Sequence, residues 1–315
     1  MDFIKIAEEL KESKVQTNKY TGIGEGTIKT YIAKVKYLEK QEVLNEKLND
    51  FINTTYTNIN TKSAYQIAIM GVAKHSPTFA EALGADIIKL ITDENEKVMD
   101  EIKGNPKQDK TEKEEENWIP LKTLKKLAKE KTLEFNEQDN LLIACYTLMP
   151  PVRLDLHDVK IIRSAFIDPE TQRPEGITEK QNYIRIYKKS GRTYTDLVLN
   201  EYKTSKTYGI FNERLPKPIT DLILKLPVSQ SHLFQKKGGE AFSSPETFGV
   251  YLRSVFKKLT GKNMSVDLLR HIYLTEFRKG EKTEERKQKI AKKMMNSVAE
   301  QTNYLRKDAS TQTIS

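Results

Sequence analysis

The sequence contains very little cysteine, tryptophan or histidine. Its 315 residues include one cysteine, one tryptophan and four histidines. The single cysteine, Cys145, excludes a disulfide within the chain, and its apolar neighbours predict a small core residue. The histidines are dispersed and none is accompanied by a pair of cysteines, which argues against a structural zinc site. We expect no metal site and no other cofactor.

Long apolar runs are absent as well. No segment approaches the ~20 apolar residues that a helix needs to span a bilayer. The first residues, MDFIKIAEELKE, mix acidic, basic and apolar groups and do not have the form of a secretory signal. These absences predict an intracellular protein without a membrane partner.

Positive charge is what the chain has in excess. Its 53 lysines and arginines outnumber its 44 aspartates and glutamates, so the formal net charge is +9. A basic chain suits a polyanionic partner such as nucleic acid, although many basic proteins bind none. At ~150 residues per domain, the length is sufficient for about two domains.

The most polar stretch divides the chain into two parts. Residues 104–117 contain a glycine, a proline and dense mixed charge but no apolar residue, which predicts a charged linker. Residues 1–103 have helical periodicity throughout, which predicts an all-α domain. Residues 118–315 are expected to form the second domain.

Only one region alternates as strands do. Residues 183–187 and 197–203 alternate with period two around a turn, and residues 210–215 can add a third strand. Helical patterns surround this region on both sides. The predicted fold class is therefore α+β, mainly α, with one small antiparallel sheet in the second domain.

An arginine lies beside the apolar face of a predicted helix. Apolar residues recur at helical spacing in residues 264–277, with Arg270 at the edge of that face and His271 just beyond it. An arginine at this position is poorly suited to plain solvent. It is either a functional group or a structural residue that pairs with Asp155 or Glu276.

A tyrosine follows the signal for a helix start. Residues 297–300, SVAE, have the form of a capping box, which predicts a helix that begins at about Val298 and carries Tyr304 near the end of its second turn. A rigid helix could position this phenol as a nucleophile. Taken alone, an ordinary residue of an amphipathic helix is the simpler interpretation.

Further cations follow structural breaks. Arg153 comes directly after the sequence Pro150-Pro151-Val152, whose prolines stop a predicted helix. Taken alone, it could be a solvated loop residue. Lys203 ends a predicted strand and Lys206 lies three residues further on, so either could serve as an acid, and we favour Lys203.

Together these residues resemble a known family. The ordered set is Arg153, Lys203, Leu268-Leu269-Arg270-His271 and Asn296-Ser297 before Tyr304. This set is similar to the motifs of the tyrosine recombinase, or phage integrase, superfamily, over roughly residues 118–304. The resemblance implies a site-specific DNA recombinase or integrase that cuts and rejoins strands through a 3′-phosphotyrosine, without metal or ATP.

The resemblance also implies roles for the residues. Arg153 and Arg270 would bind the non-bridging phosphate oxygens, because a guanidinium donates two parallel hydrogen bonds and keeps its charge. Tyr304 would attack phosphorus. Lys203, or Lys206 in its place, would protonate the leaving 5′ oxygen.

The implied partner is double-stranded DNA. Residues 1–103 would be a core-binding domain and residues 118–315 the catalytic domain of a homotetramer on two DNA sites, weakly associated or monomeric without DNA. The tail after Tyr304 would dock on a neighbouring protomer. The segments PPVRLD and YKTSKTYG resemble integrases of large eukaryotic DNA viruses and related mobile elements, whose chains would act in the host nucleus or cytoplasm.

Two positions depart from the family pattern. Asp267 stands where the family usually has a histidine, and Asn296 stands where it has histidine or tryptophan. His271 could assume part of the missing role, and Asn296 can donate a hydrogen bond but cannot transfer a proton. These departures keep open the alternative of a catalytically inactive DNA-binding architectural protein. A type IB topoisomerase, which shares the same chemistry, is a second alternative.

Overall fold

The computed structural model describes residues 1–13, 25–104, 109–163, 167, 173–174 and 176–307. The chain divides into two compact units, residues 1–106 and 107–315. The tail predicted to dock on a neighbour lies mostly beyond residue 307, outside the described residues. Within the described residues, no helix is long and apolar enough to cross a membrane.

The first unit is helical throughout its described residues. Its helices are α1 (Phe3–Glu12), α2 (Glu25–Lys40), α3 (Leu48–Thr55), α4 (Ile59–His75), α5 (Pro77–Leu83) and α6 (Ala85–Gly104). Polar side chains cap several helix starts, as at α4, where Asn58 accepts a hydrogen bond of 2.9 Å from the Asn60 backbone N–H. The buried core consists of aliphatic residues with one phenylalanine, Phe79.

The second unit combines helices with one sheet. Its helices are α7 (Glu112–Asn117), α8 (Leu121–Glu130), α9 (Glu137–Thr147), α10 (Ser205–Tyr208), α11 (Lys217–Lys225), α12 (Pro245–Thr260), α13 (Val266–Phe277), α14 (Glu284–Lys293) and α15 (Val298–Thr302). Its strands are β1 (Val159–Ile162), β2 (Asn182–Lys189), β3 (Arg192–Leu199) and β4 (Phe211–Arg214). Residues 141–147 of α9 are all buried, which makes this helix the centre of the core. Cys145 is one of them, and burial raises the pKa of its thiol to about 12.

The sheet confirms the predicted class and corrects its topology. The strand order is β1-β2-β3-β4, and β2, β3 and β4 are antiparallel neighbours. Strands β2 and β4 match two of the predicted strands, but β3 ends at Leu199, so the prediction that a strand extends to Lys203 is wrong. The additional strand β1 runs parallel to β2, so the sheet is mixed rather than antiparallel. The other edge of β1 also has partners, because Ile161 donates to the Ser231 carbonyl and Leu233 donates to the Val159 carbonyl. The fold is α+β and mainly α.

Part of the segment predicted as a linker is helical. Residues 112–117 form α7, which begins with a capping box between Thr111 and Glu114. Residues 105–108, in the same segment, lie outside the described residues. Several charged residues of this segment therefore belong to a short helix. One of them, Glu114, binds residues of the site described below.

Candidate functional site

Arg270 is the most deeply buried cation of the site. Helix α13 begins where Ser265 accepts a hydrogen bond of 3.2 Å from the Leu268 backbone N–H, and this start turns Arg270 inward with Leu269. The Arg270 side chain is 0% exposed. Burial lowers the pKa of Arg270, which the nearby Tyr304 phenol partly counteracts. An arginine nevertheless keeps its charge at neutral pH.

The donors of Arg270 bind oxygen atoms that carry no full charge. Its Nη1 donates to the Pro151 carbonyl at 2.7 Å, and both Nη1 and Nη2 lie 3.4 Å from the Met294 carbonyl. The Nε–H is buried and has no partner among the described residues. The alternative pairing with Asp155 or Glu276 is wrong, because neither carboxylate accepts a hydrogen bond from this guanidinium. One buried donor thus remains available.

Arg153 binds the carbonyl of Met295, the residue that follows Met294. It lies six residues after the end of α9, and the buried Tyr146 hydroxyl fixes its backbone by donating to the Arg153 carbonyl at 2.8 Å. The Arg153 side chain is half-buried, and its Nη1 donates to the Met295 carbonyl at 3.1 Å. Adjacent carbonyls, those of Met294 and Met295, therefore hold the two predicted arginines side by side.

Met295, whose carbonyl accepts the hydrogen bond from Arg153, has an unusual backbone conformation. Its φ is +53°, in the left-handed region that residues other than glycine seldom adopt. Its carbonyl also accepts a hydrogen bond of 3.1 Å from Thr204 Oγ1. The strained residue therefore joins Arg153 to the chain segment that carries the predicted lysines.

Asn296 contacts the arginine pair from the same segment. Its side chain is buried, and in the orientation that satisfies both of its neighbours it donates to the Ala291 carbonyl at 3.2 Å and accepts from Arg270 Nη2 at 3.3 Å. It therefore acts on Arg270 as a hydrogen-bond acceptor. Asp267, at the other departure from the family pattern, is exposed in the first turn of α13, where a helix favours negative charge.

The lysines lie in the connection between β3 and β4. Lys203 is in a turn and Lys206 is in α10, and both residues are exposed. The Thr204 bond to Met295 places this connection beside Arg153. Burial raises the pKa of the nearby Asp155 carboxylate, which Arg153 and the Lys203 backbone partly counteract. The turn is thus fixed through Thr204, while the lysine side chains extend to the surface.

Tyr304 lies past the helix that was predicted to carry it. Helix α15 starts at Val298 as predicted, with Ser297 Oγ accepting from the Glu300 N–H at 3.0 Å, but it ends at Thr302. The prediction that Tyr304 lies within the second helical turn is therefore wrong. The chain leaves the helix in tight turns, in which Tyr304 N–H donates to the Gln301 carbonyl at 3.0 Å.

The Tyr304 ring contacts both side chains of the Arg270-His271 pair. The Arg270 guanidinium carbon is 4.8 Å from the ring centroid, and the His271 ring centroid is 5.0 Å away. A cation over an aromatic face is attracted by the ring quadrupole. The structure thus brings Arg153, Arg270, His271, Asn296 and Tyr304 together, with the lysine turn at the side of Arg153.

Two residues of this site were missed by the sequence analysis. Arg306 Nε and Nη2 donate to the two carboxylate oxygens of Glu114, each at 2.9 Å, and Arg306 Nη2 is 3.1 Å from His271 Nε2. Glu114 belongs to the charged stretch that was interpreted as a linker, and no local signal marks it. The basic residue two positions after Tyr304 was a visible signal, but its partner lies 192 positions away.

Comparison of the chain with protein-family models gives no match, and comparison with curated protein sequences gives none. Among solved structures, one described as "Crystal structure of XerA recombinase" is similar to this chain with a TM-score of 0.36 and 15% sequence identity. The similarity covers 98% of this chain and 94% of that chain. A likeness of this degree carries no conclusion about what the present chain does.

Proposed function

We propose that this chain is a DNA strand transferase of the tyrosine class, acting as a site-specific recombinase or integrase. One observation carries the proposal. Arg153, Arg270 and Tyr304 are far apart in sequence, yet adjacent carbonyls hold both guanidinium groups and one of these groups lies under the phenol ring. Two cations beside a tyrosine are what phosphodiester cleavage without a metal requires.

The arginines would stabilise the charge that develops on the phosphate. Arg270 still has an unpaired Nε–H, and the half-buried Arg153 has donors beyond the Nη1 that binds Met295. These groups would donate to the non-bridging oxygens of the scissile phosphate. Because carbonyl oxygens already orient both side chains, little reorganisation would be needed when the transition state forms.

Tyr304 would supply the nucleophile after a rotation of its ring. In the structure the ring covers Arg270, which is where a phosphate oxygen would bind. Rotation of the side chain would uncover the guanidinium and bring the phenol oxygen to phosphorus. The Tyr304 Oη–P bond would form and the P–O5′ bond would break, while the phenol proton passes to water.

Lys203 would give a proton to the leaving 5′ oxygen. Its turn is fixed beside Arg153 by the Thr204 bond, and its exposed side chain is free to follow the DNA backbone. Lys206, three residues further along the chain, is the alternative acid.

The assembly and origin belong to the same proposal. Double-stranded DNA would be the substrate, the helical first unit would add DNA contacts, and four protomers would join two DNA sites. The source would be a large eukaryotic DNA virus or a related mobile element. These features are supported only by the resemblance of the sequence motifs and by the net charge of +9.

The test is a nicked duplex from which a short strand is lost on cleavage, so that the covalent protein-DNA adduct accumulates. A pool of such duplexes with varied sequence removes the need to know the target. Tyr304→Phe is expected to abolish the adduct while DNA binding persists, because phenylalanine has no hydroxyl to attack phosphorus. Tyr208→Phe, at an exposed tyrosine of α10, serves as the matched control and should keep it.

Three outcomes would contradict the proposal. An adduct that forms undiminished with Tyr304→Phe would remove this residue as the nucleophile. If the unaltered chain binds duplex DNA but forms no adduct, the inactive architectural protein is favoured, a function that suits the fully buried Arg270. Plasmid relaxation without two-site exchange would identify a topoisomerase.

A further inference from the structure

The backbone of Tyr304 is held independently of its ring. The Tyr304 carbonyl lies 2.8 Å from His271 Nδ1, and because a carbonyl can only accept, this nitrogen is the donor. Burial lowers the pKa of His271, which keeps the ring neutral near pH 7. The other nitrogen, Nε2, is then an acceptor, and it faces Arg306 Nη2 at 3.1 Å, while Glu114 Oε1 lies 3.4 Å from it. The histidine thus connects the tyrosine backbone to Arg306.

Arg306 is in turn fixed by a shielded carboxylate. Its paired hydrogen bonds to Glu114 have the two-point geometry that is the strongest for a guanidinium, and the two side chains are only 11% and 15% exposed. Burial acts to raise the pKa of Glu114, but hydrogen bonds from Arg306 and from the Thr111 backbone outweigh it and lower that pKa. The carboxylate is therefore ionised and held at both oxygens.

The main chain adds a further connection to α13. The Arg306 backbone N–H donates to Thr275 Oγ1 at 3.0 Å, one helical turn beyond His271. The segment that follows α15 is consequently fixed to α13 at two points and to α7 at a third. By contrast, the Tyr304 ring has a cation–π contact with Arg270 and a tilted ring contact with His271.

We propose that His271, Arg306 and Glu114 form a positioning strap for Tyr304. The strap, defined as these three side chains, fixes the tyrosine backbone so that rotation of the side chain alone carries the phenol from Arg270 to phosphorus. Glu114 and Arg306 are then positioning residues that touch neither DNA phosphate nor nucleophile. This inference rests on the proposed function and adds residues to its machinery.

The experiment measures single-turnover adduct formation and DNA affinity in strap variants. Glu114→Gln and Arg306→Gln should each slow cleavage by about 10- to 100-fold with affinity unchanged, because a displacement of about 1 Å from the reactive geometry has effects of that order. The double variant should be no slower than the slower single variant, because both changes break one connection. A duplex with a 5′-bridging sulfur, whose leaving group needs no proton, should show the same defects.

Two controls separate positioning from loss of stability. Asp109 and Lys307 form an exposed ion pair of 3.4 Å between the same two segments, and Asp109→Asn or Lys307→Gln should cleave at nearly the normal rate. Tyr251→Phe removes a buried hydrogen bond to Asp139 elsewhere in the unit, so it should lower stability and leave cleavage unchanged. Arg306→Lys, which keeps the charge but loses the two-point contact, should be intermediate.

The strap and the proposed function fail in different ways. If the unaltered chain forms adducts and the strap variants form them equally fast, the strap is overturned and the function stands. Additive effects of Glu114→Gln and Arg306→Gln would also overturn the strap, since independent roles would then be in action. If the unaltered chain forms no adduct, the proposed function is overturned and the strap as a device for cleavage with it.

Discussion

The second unit keeps its cations in two contrasting environments. Arg270 is fully buried and Arg153 half-buried, and both bind adjacent carbonyls. Lys203 and Lys206 are exposed, although their turn is fixed nearby through Thr204. In the proposed reaction, the groups that stabilise charge would be oriented in advance by the protein. The group that donates a proton would be oriented only when DNA is bound.

The largest effect on cleavage is expected when one of the two arginines is replaced. Arg270→Ala and Arg153→Ala should each slow cleavage by about 10²- to 10³-fold, the loss expected when one preorganised donor is removed from a transition state. Arg270→Lys should be almost as slow as Arg270→Ala, because one ammonium cannot replace the fork that spans the Pro151 and Met294 carbonyls. Single-turnover adduct formation with saturating enzyme measures these rates.

A slower cleavage rate indicates a catalytic defect only if the variant remains folded. Urea unfolding of each arginine variant should show how much of the fold depends on the buried side chain, and rates are compared only for folded variants. Near-normal cleavage by Arg270→Lys would show that charge rather than geometry matters. That result would remove the contrast between the two environments.

A smaller effect on cleavage is expected when the exposed Lys203 is replaced. Lys203→Ala should slow cleavage by about 10²-fold, at the lower end of what proton transfer contributes. Lys203→Arg should be equally slow, because a guanidinium keeps its proton at any accessible pH. A 5′-bridging sulfur in the DNA should restore both variants to nearly the normal rate, but should not restore Arg270→Lys.

Lys206→Ala provides the matched control for this experiment, since it removes the same charge from the same connection. We expect it to cleave almost normally. If Lys206→Ala is slow and is rescued by sulfur while Lys203→Ala is not, the acid is Lys206. Absence of rescue in both variants would assign the lysines to DNA binding.

The smallest effect concerns His271, which is half-buried beside the arginine pair. Its pKa is lowered from 6.5 in the folded chain, so the unfolded chain binds more protons as the pH falls through 6.5. Stability should therefore fall between about pH 7.5 and pH 5, a window above the range in which Glu114 titrates. Urea unfolding at both pH values measures this loss, which His271→Gln should reduce and His75→Gln, in the other unit, should not. An unchanged dependence in His271→Gln would contradict a buried, neutral histidine.

Local patterns predicted the parts of the site that depend on neighbours in sequence. The helix around Arg270 and the start of α15 follow from apolar spacing and from the serines that cap them. Strands β2 and β4 follow from alternation of period two, whereas β3 begins and ends earlier than predicted. Each of these features is encoded within a few turns or strand residues, which is why sequence alone was sufficient.

The missed features depend on distant partners. The short strand β1 is stabilised by hydrogen bonds to residues 231–233, which no local pattern reveals. Tyr304 leaves the helix because its carbonyl and the following residues bind α13, and Glu114 matters only through Arg306. Charge runs are usually solvated, so one functional glutamate among several cannot be identified without the fold. The roles of the site residues remain predictions.

The left-handed backbone of Met295 has a consequence for mutagenesis. The acceptors that orient both arginines belong to the main chain, whereas the Met294 and Met295 side chains are buried in the core, so alanine at either position would report lost packing and not the loss of an acceptor. A substitution at residue 295 can change the backbone torsion that orients these carbonyls, but it cannot replace the carbonyls themselves. Glycine at 295 should relax the left-handed backbone but remove a buried side chain, whereas a β-branched valine should strain the backbone further and turn the carbonyl away from Arg153.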